Sequence, residues 1–512
     1  MNSNMTEQLD QLFRMWDRGL CPGAQVLIRQ HGKTLYEKCF GYGNLENKLK
    51  IHKESIFHVA SISKEFTVMS ILLLWKEGKL DLDDNIRKYL DEYINIETPI
   101  TIRQMMNNVS GLRDQWELLF LRGIKINDQI DMDDINTTIS LQKSLNFEPQ
   151  SQYLYSNTGF HLLALIVEKL SQMSFPQFVK ERIFTPLGMT HSFVRESFTQ
   201  IVPDLTYSYQ DEGDDTFYYN PLNYALYGPT SVNTCASDLC KVLDEYIHPN
   251  VINPEIIELM KKPVLLSNGK TAEYCGGLIT HKLHGLDVFG HGGADAAYRG
   301  EIICIPEKEL ELVLISNTTT YAMSKLADKA ACIVLGLPDC TEPAVPEHEN
   351  APARSGVFLT ALPDDPMFVD ITEQNGTFYM QREWCRTELV KEEDGGYRIG
   401  SLDEKIYFTD NGILYRLPGR VLTLTPAKPA DPALFQEGIY YNDETDSFMK
   451  LVKVENTCEI HMRRHGKTTL YQSTSGSIIF RMDANLVMYV KAENDTIIMD
   501  GGRIKHIIYQ KQ

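Results

Sequence analysis

The sequence predicts an α+β fold: an antiparallel sheet flanked by helices, followed by two small antiparallel β-barrel modules. Three observations carry that reading. Strand-turn-strand patterns stand near both ends of the first 337 residues, with helical patterns between them. Pro338, Pro343, Pro346 and Pro352 then crowd into a linker. Beyond it only short β segments occur, in two similar stretches opened by Gly356-Val357-Phe358 and Gly438-Ile439-Tyr440. At 512 residues the chain is too long for one ordinary core. The expected units are 1–337, 353–425 and 433–512, with a Pro-rich break from Pro418 to Pro432 between the last two.

The elements follow in order. Leu9, Leu12, Phe13 and Trp16 recur at helical spacing, and Pro22-Gly23 stops the pattern. Ala24 to Gln30, the turn His31-Gly32 and Lys33 to Lys38 read as a hairpin. Val68 to Trp75 is apolar all round, which predicts a buried helix ending near Gly78. A helix over 101–106 stops at Asn108 to Leu112. Residues 113–145 read as a polar, irregular insertion or lid, and the Asp-rich run 128–134 lacks the spacing of a calcium loop. A long amphipathic helix runs from Phe160 to Leu170, and Ile183 to Met189 forms a helix end and turn. Thr234 to Asp238 caps a helix reaching Tyr246. Strands are expected at 287–294, 300–305 and 311–316, then a helix over 321–335.

Composition narrows the function classes. Hydrophobic residues at 43% and charged ones at 23% describe a globular protein. A formal net charge of −19 argues against nucleic acid and anionic membranes as partners. The polar N-terminus lacks the h-region of a secretory signal, and no run reaches transmembrane length. Ten scattered cysteines without a Cys-x-x-Cys pair read as reduced thiols, so a cytoplasmic location is expected, a trimmed export signal aside. No His/Cys cluster has zinc-ligand spacing, and neither metal nor cofactor is expected.

Ser61-Ile62-Ser63-Lys64 is the candidate centre of chemistry. Ser-x-x-Lys occurs four times, at Ser61/Lys64, Ser140/Lys143, Ser267/Lys270 and Ser447/Lys450, but only the first opens a buried helix. There a hydroxyl and an amine lie one turn apart on one face, partly dry. Desolvation and neighbouring positive charge favour the neutral amine, which can then take the serine proton. Ser63 and Glu65 read as helix-surface residues.

Three segments in order, Ser61-x-x-Lys64, Tyr155-Ser156-Asn157 and His291-Gly292-Gly293, resemble the serine β-lactamase and penicillin-binding-protein superfamily. The stretches Ile102 to Leu112 and Ile183 to Met189 look like that family too, and the resemblance covers about residues 8–337. Tyr-x-Asn is similar to the class C β-lactamase-like branch. His291-Gly292-Gly293 replaces the Lys-Thr-Gly of true β-lactamases, so efficient penicillin hydrolysis is not expected. The β modules most resemble the D-aminopeptidase architecture, in which a loop of the last module reaches the active site; Ser473 to Ser477 is the candidate here.

The resemblance implies an acyl-enzyme serine hydrolase. Ser61 is the nucleophile; Lys64 and Tyr155 share the proton work, with Tyr155 titrating below its usual value beside two cations. Asn157 orients Lys64 and the substrate carbonyl. His291 lines the opposite wall and bonds Tyr155 or substrate. Backbone N–H groups of Ser61 and Ala294 form the oxyanion hole. Gly292 and Gly293 let substrate pass close to the strand edge. Read singly, Tyr155 is a core tyrosine, His291 a turn residue and Asn157 a helix cap. Read jointly with Ser61, they are a site. The substrate expected is a small peptide, amide or ester, foremost a D-amino-acid peptide or amide, with a homodimer left open. A carboxylesterase and a non-catalytic penicillin-binding-like sensor are the alternatives.

Overall fold

The computed structural model describes residues 3–212, 215–319, 322–339, 344–360, 367–381, 386–399, 404–417, 420–474, 476–482 and 486–512. Its central sheet takes strands from both ends of the first unit: β1 (Ala24–Gln30), β2 (Lys33–Phe40), β3 (Tyr274–Cys275), β4 (Leu278–Leu283), β5 (Leu286–Asp295), β6 (Tyr298–Ile305) and β7 (Leu310–Ser316). Their order is β3-β4-β5-β6-β7-β1-β2, antiparallel throughout. β1 is thus inserted between its hairpin partner and the far end of the unit: Ala24 faces Phe40 on one side and Ser316 on the other. His31 and Gly32, both at positive φ (50° and 69°), make the two-residue turn.

Residues of the same strand divide between two cores, as a period of two requires. Leu312 and Leu314 pack with Leu9, Phe13, Val26, Ala327 and Ala330, under the helices Ser3–Leu12 and Met323–Leu335. Val313 and Ile315 pack on the other side with Phe66, Met69, Leu163, Leu239 and Leu243, under Ser63–Lys76, Asn157–Ser171 and Ala236–Ile247. β7, covered on both faces, is buried from end to end. Each such side chain contributes about 1.5–3 kcal/mol.

Two expectations about surfaces are corrected. Ser63 and Glu65 are buried, because the helix they open is enclosed on every side. Glu65 survives there by accepting a hydrogen bond from the Tyr246 hydroxyl at 2.7 Å, and burial lifts its carboxyl to about 8. Residues 113–145 are not an irregular lid. They form the helices Gln115–Leu121, buried throughout, and Met132–Ser140. The Asp-rich run is a cap: Asp131 and Asp134 make a capping box at the second helix. Helices of seven and nine residues are too short to show a clear period.

Eight strands from Gly356–Thr360 to Arg420–Pro429 form a closed antiparallel barrel, sealed where Phe358 faces Pro426 and Thr360 faces Leu424. Its last strand runs past residue 425 through the stretch read as a Pro-rich break. Pro426 and Pro429 are tolerated because Pro lacks only the donor and keeps the acceptor. The strands from Gly438–Asn442 to Ile507–Lys511 form a second ring, which returns to its start at Tyr440 and Lys511. Ala427, Lys428 and Pro429 pair with Ser473, Gln472 and Tyr471, so the two rings share a ladder. Among the described residues no helix is long and apolar enough to cross a membrane.

The last ring is anchored to the first unit by a buried arginine. Arg113, its side chain 1% exposed, donates to Glu444 Oε2 at 2.6 Å, to Gln142 Oε1 at 3.1 Å and to the carbonyls of Lys505 and His506 at 3.1 Å each. Arg113→Met removes the cation facing Glu444, which keeps only the Lys143 and Ser144 N–H groups and the Ser144 hydroxyl, and takes one donor from each of two carbonyls. It is expected to cost about 3 kcal/mol, read as a lower thermal midpoint and as faster proteolytic release of the last ring.

Candidate active site

Ser61 lies on one tight turn, Ala60–Ile62, that feeds directly into the helix Ser63–Lys76. Ala60 is held at φ 48°, in the left-handed region, which turns the chain sharply just before the serine. One turn on, the Lys64 side chain is fully enclosed. Its Nζ lies 3.0 Å from Ser61 Oγ, 2.8 Å from Asn157 Oδ1 and 2.9 Å from the Pro229 carbonyl. The last two oxygens can only accept, so both take amine hydrogens. What remains of the amine faces the serine hydroxyl.

Burial dominates the electrostatics of that amine. It brings Lys64 down to about 7, against the pull of Asp295 and Asp114 and with some help from the positive Arg503. A buried ammonium is costly; a buried amine is not. Lys64 is therefore poised between the two near neutral pH.

Asn157 is fixed from behind. Its backbone N–H and its Nδ2 both donate to Asp114 Oδ2, at 2.9 and 2.8 Å, which leaves Oδ1 aimed at Lys64. Asp114 also accepts from the Trp116 N–H at 3.0 Å, as the cap of its own helix. Arg503, from the last ring, places Nη1 3.2 Å from Asp114 Oδ2 and Nε 3.1 Å from Glu117 Oε1.

Tyr155 stands above Lys64, whose Nζ is 4.9 Å from the ring centroid. The expectation that it titrates low is overturned. Burial drives its phenol well above the usual tyrosine value, and the hydrogen bond with Ser61 and the charge of Arg503 offset only part of that. The cation expected to acidify it, Lys64, has its own charge weakened by the same burial. Tyr155 is a proton donor here, not a resident phenolate.

His291 faces the same cleft, its ring 6.1 Å from that of Tyr155, but its hydrogen bond goes elsewhere. Nδ1 lies 2.6 Å from the Gly292 carbonyl and Nε2 3.2 Å from the Tyr274 hydroxyl. Nδ1 is thus the donor, and Nε2 accepts from Tyr274. Burial, with Lys64 nearby, holds the imidazole neutral, its value pressed down to about 3. Tyr274 also stands edge-on to Tyr155, at 6.0 Å and 80°. His291 therefore shapes an aromatic wall rather than bonding Tyr155.

β5 pairs with β4 only as far as Gly290, so the edge from His291 to Asp295 is left open on that side. A Cβ on Gly293 would sit 2.2 Å from the Val59 carbonyl. Its bareness lets the strand close on the serine turn, and the space is already filled by backbone rather than kept for substrate. A cavity of about 1050 Å³ opens here, lined by Ser61, Tyr155, Asn157, His291, Ala294 and Arg503 among others. The first barrel adds Met367, Phe368 and Met380 to its wall.

The structure thus gathers Ser61, Lys64, Tyr155, Asn157, His291, Gly293 and Ala294 in one cleft. Sequence reasoning missed Asp114, Pro229, Tyr274 and Arg503. Asp114 carried a signal, a cap residue before a helical run; the others become neighbours only through the fold. The loop that arrives from the last ring is Gly501-Gly502-Arg503, not Ser473 to Ser477. Of that stretch Ser475 lies outside the described residues, while Gly476 and Ser477 line a separate cavity of about 400 Å³ with Leu434 and Tyr489. His191, Cys235 and Asp238 come close together. The Asp238 carboxylate is already taken by the His191 N–H, Ser192 Oγ and Lys241 Nζ at 2.7–2.9 Å, which leaves it poorly suited to an ion.

The Beta-lactamase family model matches residues 8–333. The chain is 27% identical to Penicillin-binding protein 4* of Bacillus subtilis (strain 168) over 430 residues, 80% of this chain and 95% of that one. It is 28% identical to a D-aminopeptidase of Gluconobacter oxydans (strain 621H) over 381 residues, 74% of this chain and 66% of that one. Among solved structures, the octameric penicillin-binding protein homologue of Pyrococcus abyssi superposes with a TM-score of 0.58 at 21% identity, covering 91% of this chain and 99% of its own.

The Lys64 amine fixes a pH dependence. Its value is lowered, and only the neutral form accepts a proton, so reactivity is lost as pH falls through about 7 and is retained above it. The labelling rate of Ser61 by a neutral fluorophosphonate, followed by mass spectrometry, is expected to rise through pH 6–8 and then level off. Lys64→Gln is expected to slow it roughly 10²–10⁴-fold.

Proposed function

The chain belongs to the Beta-lactamase family, and from that premise we propose that it is a serine hydrolase working through an acyl-enzyme, acting on short D-amino-acid peptides or amides. The observation that carries the chemistry is the Lys64 amine, 3.0 Å from Ser61 Oγ with two of its hydrogens committed to Asn157 and Pro229. The Ser61 proton passes to Lys64 as Oγ attacks the substrate carbonyl carbon. The oxyanion is received by the N–H groups of Ser61 and Ala294, a device worth roughly 3–4 kcal/mol per donor. Tyr155, protonated at rest, hands its proton to the leaving nitrogen and recovers one from Lys64. Water then cleaves the ester, and Ser61 regains its proton.

The choice of substrate rests on the relatives. One is named a D-aminopeptidase, and a solved structure with a TM-score of 0.54 is a D-amino acid amidase. The open edge of β5 offers an extended peptide backbone a strand to pair with. An esterase reading shares every residue of this site and differs only in the leaving group.

D- and L-alanine p-nitroanilides, D- and L-dipeptides and a p-nitrophenyl ester separate these readings. The expected outcome is amide turnover with D above L, abolished by Ser61→Ala. Ester turnover with no amide turnover would leave an esterase. A folded protein with no adduct on Ser61 would leave a binding protein.

A further inference from the structure

Arg503 brings the last ring into the polar network of the site. Asp114 N–H donates to the Arg503 carbonyl at 3.2 Å, Arg503 N–H donates to Glu117 at 3.0 Å, and Asn146 Nδ2 donates to the same carbonyl at 2.9 Å. Gly501, two residues before it, suits that approach: a Cβ there would sit 2.7 Å from Glu117 Oε2. The loop is clamped at both backbone and guanidinium. From Arg503 Nη1 the contacts run without a gap to Asp114 Oδ2, to Asn157 Nδ2 and, through Asn157 Oδ1, to Lys64 Nζ.

We propose that Arg503 is a positioning residue for the proton transfer between Ser61 and Lys64, through which the C-terminal ring sets both the orientation of Asn157 and the charge state of the lysine. This rests on the serine-lysine reading above and adds a distant part of the chain to it. Asn157 turns its oxygen to Lys64 because its Nδ2 is held by Asp114 Oδ2, and the Arg503 guanidinium donates to that same oxygen at 3.2 Å and so fixes where it lies. Arg503, half-buried at the cavity wall, keeps its own proton because Asp114 and Glu117 face it.

The charged and titratable groups around Lys64 are few. Asp295 faces it from β5, Asp114 from the loop before Gln115–Leu121 and Arg503 from the last ring. Tyr155 and His291 face it uncharged, and Glu65 on its own helix turns to Tyr246. Removing Arg503 therefore acts on Lys64 in one direction only. A repelling cation is lost, and Asp114 is left uncompensated; both favour the ammonium.

Labelling of Ser61 by a neutral fluorophosphonate across pH 5–9 tests this in the full-length protein. Arg503→Gln is expected to move the acid limb up by roughly one pH unit. Arg503→Lys keeps the charge but not the fork across Asp114 and Glu117, so its limb stays while its plateau rate falls. Asp114→Asn removes a negative neighbour, and its limb is expected to move down. An Arg503→Gln protein whose rate falls equally at every pH, or does not change, overturns the proposal. So does one altered only in KM for anionic substrates, which would make Arg503 a substrate contact. If Arg503→Gln does not fold, Arg503→Lys decides, since a shifted limb or an unchanged plateau there overturns it too. Failure of wild type to label at all would instead strike the serine-lysine reading itself.

Discussion

A fully buried amine is the constraint on which the rest depends. Lys64 is held by two carbonyl oxygens and a hydroxyl, and nothing near it fully balances a positive charge. Each oxygen must be held in turn. Asn157 is locked by Asp114, and Pro229 belongs to the chain segment that passes over the helix at Thr67, whose hydroxyl donates to the Gly228 carbonyl at 2.6 Å. Asp114 would be a poor buried neighbour without Arg503. The site is best described as a series of desolvated polar groups, each stabilised by the next, ending in a cation supplied from the far end of the chain.

The sheet contributes an edge rather than a surface. Because β4 stops pairing at Gly290, β5 runs on past the serine turn paired only with β6, and Gly293 lets its backbone nearly touch that turn. This strand carries His291, and the Tyr155 and Tyr274 rings pack against that imidazole to form one wall beside the serine. Their edge-on packing and the Tyr274 to His291 hydrogen bond make that wall stiff and neutral. A stiff neutral wall beside a titrating amine confines the change of charge to one atom.

Much of this was legible in the sequence and some was not, for physical reasons. The hairpin of β1 and β2, the buried helix after Ser61 and the strands from β5 to β7 are local patterns of two or three and a half residues, and they read clearly. Ser61, Lys64, Tyr155, Asn157 and His291 stand in motifs whose order could be matched. Glu65 was placed on the surface because a glutamate usually is; its partner Tyr246 is fixed only by packing. Asp114 and Arg503 lie 389 positions apart, and no local pattern couples them. The direction of the Tyr155 shift was misjudged because burial, a property of the whole fold, outweighs a neighbouring charge.

The insertion of β1 between β2 and β7 bears on how the protein is made. While the chain is being synthesised, the first hairpin has no second neighbour until Ser316 has left the ribosome. A lone hairpin is marginal in water, and its open edge is a template for unwanted pairing. Gln25, Arg29 and Gln30 put polar side chains along that waiting strand. Arg503 emerges later still, so the nascent protein acquires its sheet before it can complete the polar surroundings of Lys64.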